Sequence, residues 1–144
     1  MSRASDLANL IAGGNTTIFG EAGVTSSGST GKTTNLQQGL AKVWTKGDGS
    51  GTVGITDSLN TASMTDEGTG DYTYNFTNSM GNTTYIVQGV STETDKAQPR
   101  VVGCGTNQDT GYATGSHGVI CLRMDTQAPD DMDVVNSSVF GDLA

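Results

Sequence analysis

No stretch of this sequence approaches the ~20 consecutive apolar residues that a membrane-spanning helix requires. Its first residues also lack an apolar core followed by a small-residue cleavage site. Membrane insertion is therefore not expected, and the reading is of a chain made in a cytoplasm. Positive charge is scarce too: Lys and Arg number 7 against 15 Asp and Glu, for a net charge of −8. The basic residues Arg3, Lys32, Lys42, Lys46, Lys96, Arg100 and Arg123 are scattered, whereas neutralising a phosphate backbone needs them clustered. Nucleic acid is not an expected partner. Proline occurs only twice, and the Pro, Glu and Lys enrichment of disordered chains is missing. Large apolar residues are thin as well: hydrophobic residues make up 33%, below the usual ~45–50%. A chain of this length with so little to bury has a small margin over its conformational entropy, and sharing a core with copies of itself is the expected remedy.

What is abundant is Gly, Thr, Ser and Asn, the composition of short strands joined by tight turns. Ser5 can cap a short helix in which Leu7, Leu10 and Ile11 share one face and Gly13-Gly14 ends it. Residues 15–40 are Gly/Ser/Thr-rich around one apolar patch, Ile18-Phe19, and read as an extended arm with at most one strand. From about Leu40 the period becomes two. Val43 alternates with Lys42 and Trp44; Val53 and Ile55 share a face; Tyr72, Tyr74 and Phe76 share another. TTYIVQGV, with Tyr85 and Val87 on one side and Ile86 and Val90 on the other, predicts a strand buried on both faces. PRVVGCG and GVICLRM are similarly apolar, and Val134 to Phe140 offers a last strand. Turn clusters separate these runs at Gly47 to Gly51, Asp66 to Gly70, Ser79 to Asn82 and Thr106 to Ser116. Strands at that spacing predict an all-β, antiparallel sandwich, jelly-roll-like or lectin-like, at 40–144, preceded by a helix and arm at 1–39.

Catalytic constellations are not evident. SSGSTGKTT nearly spells a phosphate loop at Gly31, Lys32 and Thr33, but Ser26 replaces the first Gly and no helix pattern follows. His117 is the only histidine, neighbours no nucleophile elbow, and reads as a loop-end residue that hydrogen-bonds the backbone or faces solvent. Asp66, Glu67, Asp71 and Asp109 sit beside turn glycines, and one tryptophan, Trp44, is too little aromatic lining for a glycosidase cleft. Cys104 and Cys121 lack Cys-x-x-Cys spacing, and without a secretion signal they read as thiols rather than a disulfide. Asp130, Asp131 and Asp133 lack the Gly and Glu of a calcium loop and read as an acidic solvated turn. No cofactor, metal or enzymatic activity is expected.

One segment carries a resemblance. AKVWTKGDGSGTVGITDSLNTASMTDEGTGDYTYNFTNSM, at Ala41 to Met80, resembles a stretch of the tail-fibre-like virion structural proteins of marine bacteriophages that infect cyanobacteria and SAR11-type bacteria. In these a KxW strand, a GTGTVxIxDSxN strand and a TDxGTGDYTxNFT hairpin follow in order. The resemblance implies a homotrimeric, β-structured virion protein: a tail fibre or fibre-like appendage contributing to host attachment, or else a capsid decoration protein that stabilises the shell. A carbohydrate-binding module is a further reading. Partners would then be copies of itself, other virion proteins and a host surface glycan or protein. Leu7, Leu10, Ile11, Ile18 and Phe19 would attach the arm to the particle or to neighbouring subunits. Receptor contact is expected from loop residues Asp48, Thr94, Asp95, Asp109, Tyr112 and His117.

Overall fold

The inward alternation that starts at Val43 closes into two antiparallel sheets. The computed structural model describes residues 23–25, 33–35, 39–94, 100–105 and 111–144, and divides the chain into two compact units, Met1–Gly39 and Leu40–Ala144. In the first unit, β1 (Gly23–Thr25) pairs antiparallel with β2 (Thr33–Asn35). The arm thus holds two strands where the composition suggested at most one. The expected helix, with Leu7, Leu10 and Ile11, lies outside the described residues, as do Ile18 and Phe19.

The second unit contains β3 (Val43–Asp48), β4 (Gly54–Leu59), β5 (Thr61–Gly68), β6 (Asp71–Phe76), β7 (Ile86–Thr92), β8 (Arg100–Cys104), β9 (Tyr112–Ala113), β10 (Ser116–Arg123) and β11 (Val134–Phe140). One sheet runs β4-β3-β11-β7; the other runs β5-β6-β10-β8, with β9 also on β10. Every ladder is antiparallel, and the two sheets pack face to face as a β-sandwich. The chain passes from the first sheet to the second between β4 and β5 through a single residue, Asn60. That residue sits at φ 58°, a left-handed conformation that Asn tolerates better than most side chains.

Parity along each strand selects the core. Val43 and Thr45 of β3, Tyr72, Tyr74 and Phe76 of β6, Val119 and Cys121 of β10, and Val135, Ser137 and Val139 of β11 all point between the sheets and are buried. They form two clusters. Tyr72, Tyr74, Val119, Cys121, Met132 and Val135 make one; Val43, Phe76, Met80, Tyr85 and Val139 make the other. His117 joins them, its ring centroid 5.2 Å from that of Tyr74 and 5.4 Å from that of Phe76.

Tyrosine hydroxyls fasten one sheet to the other. Tyr74 Oη, from β6, donates to the Val135 carbonyl on β11 at 2.7 Å. Tyr72 Oη lies 2.8 Å from the Gly49 carbonyl and 3.0 Å from Asp131 Oδ1. Tyr85, just before β7, reaches the opposite way to the carbonyls of Ala113 and Ser116 at 2.9 and 2.8 Å. A buried phenol needs such a partner, and each partner here lies across the core. Gly47 and Gly49 make the approach possible. A Cβ at Gly47 would stand 2.5 Å from Tyr74 Oη, and one at Gly49 would overlap Tyr72 Oη.

One expectation about burial changes. TTYIVQGV is buried on one face only: β7 leaves Ile86 and Val90 62% and 57% exposed, because none of the described residues of this unit covers the outer side of that sheet. The segment TASMTDEG, which carries one large apolar residue, Met64, is the full strand β5. Thr33, which would open the helix of a phosphate loop, instead begins β2.

Candidate functional site

The outward faces of the two sheets differ in what their polar side chains do. On the five-stranded sheet Asn75 is committed within the sheet, its Nδ2 lying 3.1 Å from both Ser63 Oγ and Thr65 Oγ1. On the four-stranded sheet the corresponding groups are uncommitted, and they surround a trough.

Its shape follows from side-chain size across the register. The central strand β11 turns the short residues Asn136 and Ser138 outward. Ser138 lies between Trp44 on β3 and Gln88 on β7, and Asn136 lies between Lys46 and Val90. Short side chains on the middle strand make a floor, and longer ones on the flanking strands make walls. The result is an open trough of about 430 Å³ lined by these six residues and by the backbone between them. That size falls in the range of roughly 300–1,000 Å³ typical of small-molecule sites. Trp44 is 38% exposed, and Leu59, opposite it on β4, is 48% exposed and widens the apolar rim.

Among the described residues, the side chains of Trp44, Lys46, Gln88, Asn136 and Ser138 make no hydrogen bond or ion pair with the protein. Asn136 Oδ1 is buried and without a partner, which leaves an acceptor uncompensated on the trough floor. The trough therefore pairs one aromatic side chain and an aliphatic one with a set of donors and acceptors that have no partner among the described residues.

Other reactive groups have structural tasks. His117 Nε2 and Ser137 Oγ are 3.0 Å apart, the spacing of a base and a nucleophile. Both are buried between the sheets, at 0% and 5% exposure, and Nδ1 has no hydrogen-bond partner to orient the ring. Substrate cannot reach the pair. Burial lowers the His117 pKa to about 4 and raises that of Cys121 to about 11, so imidazole and thiol are both neutral near pH 7. Cys104 is exposed, and both cysteines are free thiols. The three carboxylates of the acidic turn are divided among separate partners. Asp131 Oδ1 accepts from the Gly70 amide at 2.7 Å as well as facing Tyr72, Asp130 lies 3.5 Å from Arg100, and Asp133 accepts from the Thr94 amide.

Of the expected receptor residues that are described, Tyr112 and His117 are cross-strand partners, and Asp48 and Thr94 stand on other elements. Asp48, at the end of β3, caps the following turn by accepting from the amide and hydroxyl of Ser50. Thr94 is exposed after β7, and Tyr112 lies in β9, its ring 5.2 Å from that of Tyr85. Asp95 and Asp109 lie outside the described residues. His117 is a correction: it is not on a loop but in β10, where parity with Val119 and Cys121 turns it into the core. None of the five uncommitted polar residues of the trough was expected as a site. The register that assembles the trough joins segments far apart in sequence, so neither Trp44 as an isolated aromatic nor Lys46 as a scattered cation signals it locally.

Family models, curated proteins and solved structures were compared with the chain. None matches it.

Proposed function

We propose that this chain is a non-enzymatic structural protein of a bacteriophage virion, a homotrimeric tail fibre or fibre-like appendage that contributes to host attachment. The observation that carries this reading is the segment Ala41 to Met80 and its resemblance to marine-phage fibre proteins. In the fold that segment is one uninterrupted block, β3 to β6. It supplies the only direct crossing between the sheets through a single residue among the described strands, and most of the tyrosine core. Two further features favour an adhesive module. The Ser–His pair is sealed in the core, and the trough on the four-stranded sheet offers binding groups whose one exposed-face hydroxyl, Ser138, has no hydrogen bond to a base among the described residues.

Gold-labelled antibody against the full chain, viewed on particles of a producing phage, tests the assignment. Label on the tail supports it. Label confined to the head makes the chain a capsid decoration protein, and no label on any particle rejects the virion reading. Sedimentation of the purified chain tests the trimer, which a monomer persisting at high concentration would exclude.

A further inference from the structure

We infer that the trough on the four-stranded sheet is a saccharide site in which an uncharged pyranose stacks on Trp44 and hydrogen-bonds Gln88, Asn136 and Ser138. This deepens the adhesive part of the proposed function and rests on it. It does not depend on a viral origin.

A pyranose is amphipathic: its ring C–H groups form an apolar face, and hydroxyls that both donate and accept project from its edge. The trough has the complementary division, with the Trp44 indole on one wall, Val90 on the other, and two amides and a hydroxyl beside them. A purely apolar ligand would leave five hydrogen-bonding groups desolvated and unpaired, a heavy cost. An ion would leave the indole without a role. An amide supplies a donor and an acceptor together, and a serine hydroxyl does the same, which suits a hydroxyl that must both give and receive. Within the trough lining, Asn136 Oδ1 is an acceptor already stripped of water and without a partner among the described residues. A small side-chain rotation toward a sugar hydroxyl would satisfy it.

Charge decides between neutral and anionic sugars. Lys46 is the cation in the lining, and Asp57 on β4 stands directly across the strand pair from it. The local balance is near zero, while the whole chain carries −8, a field that repels a polyanion. A neutral glycan is the ligand this balance admits.

Trp44 is the only tryptophan, so a single indole N–H resonance and the intrinsic fluorescence both report on the trough. The experiment titrates the ¹⁵N-labelled full chain with neutral linear hexaoses of glucose, mannose and galactose at millimolar concentration, with oligogalacturonate as an anionic control. The expected result is a saturable shift of the indole resonance, and of the amides of Gln88, Asn136 and Ser138, with at least one neutral sugar. Trp44→Ala should weaken it about tenfold or more, the equivalent of ~1.4 kcal/mol. Ser138→Tyr, which fills the floor from an outward position, should abolish binding while leaving the amide spectrum of the core in place, so that loss of fold is separable from loss of site. Silence with every neutral hexaose overturns the inference. So does a shift produced only by oligogalacturonate, or one that grows with protein concentration in the absence of sugar, which would make the trough a contact between copies. Particle labelling is a separate readout, so failure of the sugar site and failure of the virion reading are distinguishable.

Discussion

The imidazole of His117 shows what a single buried residue contributes. Removed from water between the rings of Tyr74 and Phe76, it titrates near 4 instead of 6.5. A base whose folded pKa is depressed favours the fold in its neutral form. That stability is complete above pH 6.5 and is lost as the pH falls through 4, and it amounts to about 3 kcal/mol. Chemical denaturation at pH 7 and at pH 4.5 should therefore give a lower midpoint in acid. In His117→Phe the difference across this window should shrink, since the replacement ring has nothing to protonate. Glycine positions make a second residue-scale test. Gly49→Ala places a methyl group against the Tyr72 hydroxyl and should cost about 1–3 kcal/mol, as overpacking does. Gly115→Ala meets nothing within 4 Å and should stay within ~0.5 kcal/mol of the parent. Thermal melts of the pair check both.

Among the elements, β6 bears the most. Its three inward aromatics lie in both core clusters, and two of their hydroxyls cross to the other sheet. Tyr74→Phe leaves the buried Val135 carbonyl without that donor and should destabilise by about 1–2 kcal/mol, read from urea unfolding. These tyrosines also answer the thinness of the composition. A core short of Leu and Ile is filled by large rings whose polar ends find carbonyls.

Much of this was legible in period two. The faces of β3, β6 and β11 follow from alternation alone, because one side of each strand is apolar or small and the other polar. β5 was legible only as the first arm of the hairpin in the resembling segment, since Met64 is its only large apolar residue and pairing with β6 holds most of it in place. His117 was misread because Thr114 to Gly118 has turn-like composition; counting back by twos from Cys121 would have placed it inside. The trough could not be read at all. It depends on Trp44, Gln88 and Ser138 falling in one row across three strands, and nothing local to any of those segments specifies that row.

At the scale of the whole molecule, the division at Gly39 and Leu40 predicts that a fragment of residues 40–144 unfolds cooperatively on its own, with a calorimetric midpoint within a few degrees of the full chain's second unit. The sandwich also has a fastened side where the chain leaves one sheet for the other. Glu93, after β7, and Arg100, opening β8, form a 2.6 Å ion pair with side chains only 13% and 2% exposed. Removing one partner of such a buried pair costs about 3–5 kcal/mol, so Arg100→Ala should melt far below the parent. Because the pair ties the end of β7 to the start of β8, a change of charge at Glu93 has to be matched at Arg100. Over generations these two positions should vary together as opposite charges, while the registers of β7 on β11 and of β8 on β10 stay constant.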